Sequence, residues 1–209
     1  MGELRVRLLG GLDIEGIVGI DGGTGLYGSA GLDQRALGSR KARTLVKALA
    51  LARGRPVAAE TLADMLWPDD PPANPAEQLR VLVSRLRKIL GPDRVPRTDA
   101  GYSLSMDWLD LDALQELVGE AGRRLDEGSI GAARAAAGAA LAVARGPLLP
   151  DEEEAEWAAP DRALARRLTT EARRILAAAA LASATFPALH LPRSRLWTPT
   201  RTTKPSCVR

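Results

Sequence analysis

The stretch NPAEQLRVLVSRLRKILGP, residues 74–92, decides the fold. Its apolar residues recur every three or four positions, so an α-helix over residues 74–90 would place them all on one face. These residues are Leu79, Leu82, Val83, Leu86, Ile89 and Leu90. Gly91 and Pro92 follow directly and end the helix. The sequence therefore predicts an amphipathic helix with a leucine-rich buried face.

The opposite face of this helix is mostly cationic. It carries Arg80, Val81, Ser84, Arg85, Arg87 and Lys88. Arginine and lysine pair with phosphates and guanine edges, and a small apolar side chain can contact a thymine methyl group, so the face suits the major groove of DNA. A solvated basic face on an ordinary helix has the same composition. The neighbouring elements must therefore decide between the two interpretations.

A β-hairpin is predicted directly after the helix, over residues 95–104. The sequence alternates there around Asp99-Ala-Gly101, which is a typical turn. Arg97 and Thr98 would lie near the tip of this hairpin. From there they can reach the minor groove beside a helix that occupies the major groove.

Two shorter helices are predicted before the cationic one. Ser39 is a favourable N-cap for a helix over residues 40–52, and a second helix is predicted over residues 57–66. The proline-rich residues 67–73 form a stiff turn. Two short helices, a turn, an amphipathic helix and a hairpin make a winged helix-turn-helix. We expect its third helix in the major groove and its hairpin, the wing, at the minor groove.

The chain on either side of this unit has a different character. Residues 3–9 alternate polar and apolar side chains and, with residues 12–14, predict a small N-terminal β-sheet. The glycine-rich residues 16–31 are interpreted as an insertion, and the proline- and arginine-rich residues 186–209 as a disordered tail. Residues 106–185 are predicted all-helical, with helices over 110–127 and 129–145 and two more from about Glu152 and Ala159. Paired amphipathic helices separated by glycine or proline favour a helical-repeat stack.

Composition excludes several other classes of protein. The 209 residues carry a net charge of only +3, but residues 35–104 hold 13 basic and 7 acidic side chains, a local net charge of +6. A basic block of this kind is the electrostatic footprint of nucleic-acid binding. The chain has a single cysteine, Cys207, and a single histidine, His190, so we expect no disulfide, no His/Cys metal site and a cytoplasmic location. We also expect no transmembrane helix, because no run of about 18 apolar residues occurs.

Two alternative functions were open from the residues alone. Val18-Gly-Ile-Asp-Gly-Gly-Thr-Gly25 is similar to the phosphate loop of sugar kinases, but it lacks the Lys-Ser/Thr of a P-loop. No paired carboxylates, serine triad or metal cluster supports catalysis, so we expect no enzymatic activity and no cofactor. The second alternative is a helical-repeat protein-interaction module without DNA binding, for which the acidic residues 151–154 would be a partner surface.

Several short motifs resemble the Streptomyces antibiotic regulatory protein family. In the N-terminal half they are Leu37–Arg43, Leu62–Ala73, Val83–Gly91 and Gly101–Leu104; in the C-terminal half they are Asp110–Asp112, Arg145–Leu148 and Glu156–Trp157. The resemblance implies a response-regulator-type winged helix with an N-terminal β-sheet, followed by a bacterial transcriptional activator domain of tetratricopeptide-like helices. It also implies a transcriptional activator that binds direct repeats near promoters, contacts RNA polymerase and forms a homodimer.

The resemblance also implies a division of the chain. Residues 1–105 would be the DNA-binding domain, residues 106–185 a shortened activator domain, and residues 186–209 the tail. The fold class is therefore α+β followed by all-α. On this division we expect residues 1–105 alone to be more soluble than the full chain and still to bind DNA.

Overall fold

The computed structural model describes residues 3–16 and 37–185. The glycine-rich stretch beyond Gly16, with its kinase-like motif, and the predicted tail from residue 186 lie outside the described residues. The strands are β1 (Arg5–Arg7), β2 (Asp13–Glu15), β3 (Arg97–Thr98), β4 (Gly101–Tyr102) and β5 (Trp108–Leu109). The helices are α1 (Arg40–Leu51), α2 (Ala59–Leu66), α3 (Pro75–Leu90), α4 (Asp110–Asp126), α5 (Ile130–Val143) and α6 (Ala159–Thr185).

The N-terminal sheet has three strands in the order β2-β1-β5. β1 runs antiparallel to β2, with Val6 opposite Ile14, and parallel to β5, with Val6 opposite Leu109. All three of these apolar side chains are buried, because they point from the sheet toward the helices. The two N-terminal strands were predicted; β5, which follows the wing in sequence, was not.

The three helices and the hairpin of the predicted winged helix are present, and their caps explain two of the boundaries. The Ser39 side chain accepts a hydrogen bond from the Ala42 N–H at 3.2 Å and begins α1. The Asn74 side chain accepts one from the Glu77 N–H at 3.1 Å and begins α3. Each cap satisfies one of the N–H groups that a helix start leaves without a backbone partner.

The predicted start of α2 at Val57 is wrong, because this residue pairs with the wing instead. The Val57 N–H donates to the Tyr102 carbonyl at 2.8 Å, and the Tyr102 N–H donates back to the Val57 carbonyl at 2.9 Å. Gly101 permits this approach: its φ is +130°, and a Cβ there would lie 1.9 Å from the Val57 carbonyl oxygen. The wing is therefore attached to the segment between α1 and α2.

The region after the wing is mostly helical, as predicted, but up to residue 185 it has three long helices and not four, and its residues Trp108–Leu109 form β5 of the N-terminal sheet. α4 and α5 pack against each other, and α6 packs on both. The helix predicted from about Glu152 is absent, and only a short 3-10 turn over Glu156–Ala158 precedes α6. Leu149 adopts a left-handed φ of +49° and Pro150 follows it, so the chain turns here before α6 begins.

Asp110, the first residue of α4, joins the sheet to the helical region. Its Oδ2 accepts hydrogen bonds from the N–H groups of Leu8 and Leu9 at 2.8 and 2.7 Å, whereas its buried Oδ1 has no partner within the described part of the chain. Burial raises the pKa of Asp110 above its ordinary value, although the N–H donors of Leu9, Leu8 and Leu111 and the charge of Arg7 act in the opposite direction. Among the described residues, no helix is both long and apolar enough to span a membrane.

Candidate DNA-binding interface

The buried face of α3 holds the helix against the rest of the winged helix. Leu79, Leu82, Val83, Leu86 and Leu90 are buried, and α3 contacts both α1 and α2. Ile89, which was predicted on the same face, is only half-buried. Because the apolar face is fixed in this way, the position of the outer face relative to the wing is also fixed.

The outer face of α3 is open to solvent along its length. Its exposed residues are Arg80, Val81, Ser84, Arg85 and Lys88. Arg85 and Lys88 have no carboxylate partner among the residues that the structure describes, whereas Arg80 forms an ion pair with Glu77 at 3.3 Å. Val81 is 37% exposed, an isolated apolar group among cations. The face therefore offers charge, one hydroxyl and one methyl-bearing group to a ligand.

Arg87 has a structural contact that its position in the sequence does not reveal. It is half-buried, and its Nε donates to the Val95 carbonyl at 2.9 Å, where the chain enters the wing. This hydrogen bond ties the last turn of α3 to the hairpin. Arg87 thus differs from Arg85 and Lys88, which are exposed.

The wing presents the two residues that the sequence placed near its tip. Arg97 and Thr98 form β3 and are exposed, and they pair with Tyr102 and Gly101 of β4. The Arg97 guanidinium lies 5.6 Å from the centre of the Tyr102 ring, within the range of a cation–π interaction. Tyr102 is itself buried and anchors the wing to the core.

One buried and one half-buried cation were not identified as important from the sequence. Lys47 of α1 is 1% exposed, and Arg53 follows the end of the same helix. The available signal was the context of Lys47, which is the one polar residue within the run LVKALAL, residues 45–51. Neither residue faces the surface formed by α3 and the wing; their partners lie in the helical region.

Comparison with known proteins identifies the family. The family described as "Transcriptional regulatory protein, C terminal" matches residues 33–102, which contain α1 to α3 and both strands of the wing. Regulatory protein AfsR of Streptomyces griseus is 41% identical over 86 residues, 40% of this chain and 9% of that protein. AfsR of Streptomyces coelicolor is 36% identical over 102 residues, 47% of this chain and 10% of that protein. Transcriptional regulatory protein EmbR of Mycobacterium tuberculosis is 31% identical over 187 residues, 77% of this chain and 46% of that protein.

These matches support assignment of the chain to the Streptomyces antibiotic regulatory protein family. A solved structure, Mycobacterium tuberculosis EmbR in complex with low affinity phosphopeptide, shares the fold with a TM-score of 0.75 and 23% identity, over 88% of this chain and 47% of that one. This match supports a winged helix followed by a helical region as the architecture of this chain. The chain spans less than half the length of each of these relatives.

The comparisons also bear on the two alternative functions. The relatives are named as regulatory proteins, so the chain is similar to transcriptional regulators. An interaction module without DNA binding is likewise not favoured, because the family match falls on the winged helix itself. The kinase-like motif lies outside the described residues.

Proposed function

We propose that this chain is a sequence-specific DNA-binding transcriptional regulator that activates transcription. In this proposal α3 enters the major groove, and the wing, residues 95–104, lies at the minor groove. The single observation that carries it is the open cationic face of α3 beside an exposed wing that bears Arg97 and Thr98. An α-helix fits the major groove, and a rigid hairpin at its end can then reach the adjacent minor groove.

The exposed residues of α3 divide into two roles. Arg85 and Lys88, which have no carboxylate partner within the described residues, bind backbone phosphates. Arg80, Val81 and Ser84 read base edges, and Arg80 must first leave Glu77, an exposed pair that costs at most about 1 kcal/mol to break. Arg87 contributes mainly by fixing the wing to α3, and its remaining N–H groups can still bind a phosphate.

The remaining features of the proposal follow from family membership. The partner is double-stranded DNA carrying direct repeats near promoters; RNA polymerase is the second partner, and the chain acts as a homodimer in the cytoplasm. No cofactor and no enzymatic activity are part of the proposal. The proposed division separates a DNA-binding part, residues 1–105, from an activator part, residues 106–185, which also supplies β5 to the N-terminal sheet. α4 to α6 are proposed to be a shortened tetratricopeptide-like unit.

The proposal is tested by selecting bound sequences from random duplex DNA and then titrating the selected site at several salt concentrations. The logarithm of the association constant should fall with the logarithm of salt, with a slope of about −0.9 for each phosphate contact. Arg85→Gln and Lys88→Gln should each reduce the slope by about 1.

Arg123→Gln and Arg124→Gln are matched controls for this titration. Both arginines are exposed on a helix, but they are ion-paired with Glu120. Their replacement should leave the slope unchanged. If no sequence is enriched and the affinity for random duplex does not depend on salt, the chain does not bind DNA and the interaction-module alternative gains support.

A further inference from the structure

Helix α1 is buried on almost every side. Nine of its twelve residues are buried, including the polar residues Thr44 and Lys47. A helix at the surface of a protein buries one face and exposes the other, so a helix of this kind lies between two layers. α1 contacts α2 and α3 of the winged helix and also the 3-10 turn that precedes α6.

Lys47 finds its partners in the helical region and not in the winged helix. Its Nζ lies 2.5 Å from Asp151 Oδ2 and 3.2 Å from Glu152 Oε1. The Thr44 hydroxyl donates to the same Glu152 oxygen at 2.7 Å. A buried ammonium group without a counter-charge is strongly unfavourable, so α1 is stable in this position only while the turn at residues 151–152 remains against it.

Arg53 makes a second connection at the other end of the same helix. Its Nε donates to Asp112 at 2.6 Å, and its Nη2 donates to Asp161 at 3.1 Å. These carboxylates belong to the first turns of α4 and α6. One guanidinium therefore joins the starts of two helices to the end of α1, and Arg53 adopts a left-handed φ of +52° at this point.

We propose that Lys47 and Arg53 are positioning residues that make α3 and the helical region one rigid body. The two ion-pair clusters fix α1 to α4, α6 and the turn before α6, and α1 in turn contacts α3. The orientation of the helical region relative to bound DNA is then set by α1. This inference rests on the proposed function, since positioning matters only if α3 binds DNA.

The experiment measures the distance between the winged helix and the helical region in the full chain by double electron–electron resonance of spin labels. In a Cys207→Ser background, Glu60→Cys on α2 and Ala180→Cys on α6 provide exposed sites for spin labels. A second pair, Glu60→Cys with Asp93→Cys, lies within the winged helix and reports its own integrity. The expected result without further substitutions is a narrow distance distribution for both pairs.

The clusters are then broken from the carboxylate side with isosteric amides: Asp151→Asn with Glu152→Gln, Asp112→Asn with Asp161→Asn, and all four together. The distribution between α2 and α6 should broaden, most in the fourfold variant, while the pair within the winged helix is unchanged. Glu120→Gln is the matched control, because its ion pairs lie wholly within α4. If the fourfold variant does not fold, the two double variants decide. Narrow distributions in every variant that folds would overturn the proposal.

The same variants separate this inference from the proposed function. Affinity for a single selected DNA site should be unchanged, while transcription from a promoter carrying that site should fall. Equal loss of affinity and transcription would mean a merely structural role and would overturn the inference. If the unmodified chain binds no DNA, the proposed function fails, and the distance measurement still decides whether the two parts are rigidly joined.

Discussion

Replacing Lys47 by methionine removes a buried charge while keeping a side chain of similar length. Glu152, which is only 10% exposed, would then retain the Thr44 hydroxyl but no cation, whereas Asp151 is 49% exposed and can turn to water. Breaking a buried ion pair from one side costs about 3–5 kcal/mol. Because one of the two carboxylates can rehydrate, we expect a loss near the lower limit, about 3 kcal/mol.

The assay is urea unfolding followed by circular dichroism, with thermal melts alongside. In a chain of this size, a loss of about 3 kcal/mol corresponds to a fall in Tm of about 6–12 °C. Lys47→Met with Glu152→Leu should recover most of the loss, since replacing both members of a buried pair by apolar groups is often neutral. Arg124→Met, which breaks an exposed pair, should cost less than about 1 kcal/mol. A single variant as stable as the unmodified chain, or a double variant no better than the single one, would refute this reasoning.

Three further predictions follow. Contrary to the sequence-based expectation, residues 1–105 alone should not unfold cooperatively, because they lack β5 and the partners of α1. Residues 1–185 should melt like the full chain. Thermal melts of the two fragments followed by circular dichroism test this, and a cooperative melt of the shorter fragment would contradict it. Gly101→Ala should destabilise the chain by about 1–3 kcal/mol and weaken DNA binding, since the new Cβ meets the Val57 carbonyl; unchanged urea midpoints would count against it. Burial raises the pKa of Asp110 in the folded state. At a pH between the ordinary and the raised pKa, the native chain therefore binds a proton at Asp110 that the unfolded chain releases. The contribution of Asp110 to the free energy of unfolding is present below the ordinary carboxyl pKa and is lost as pH rises through the raised value. The stability difference between the unmodified chain and Asp110→Asn, measured by urea titration from acidic to neutral pH, should follow that curve, and a difference independent of pH would show the assignment to be wrong.

Local sequence signals predicted the winged helix well. The spacing of leucines predicted most of the buried face of α3, and Ser39 caps α1 as predicted. These features depend on residues within one or two helical turns of each other, so the sequence contains them directly. The family prediction, which used motifs of this kind, is confirmed, whereas the assignment of individual DNA contacts and of the domain division stays a prediction.

Features that depend on distant residues could not be predicted. β5 has only two residues, too few for a pattern, and forms because β1 is available to pair with it. The helix expected from about Glu152 is replaced by a turn whose acidic side chains meet Lys47, and no local signal indicates that partner. Arg87 carries the same charge as Arg85, and only the position of the Val95 carbonyl separates their surroundings.

The central strand of the N-terminal sheet has consequences for how the chain is made. β1 leaves the ribosome well before its parallel neighbour β5, which is 103 residues later, with Val6 opposite Leu109. At a synthesis rate of about 5–20 residues per second, β1 waits roughly 5–20 s for this partner. During that time its apolar residues Leu4, Val6 and Leu8 are without the cover they have in the finished molecule. Slowing translation before residue 108 should therefore lower the yield of native chain, and a chaperone that binds the nascent segment containing β1 should restore it.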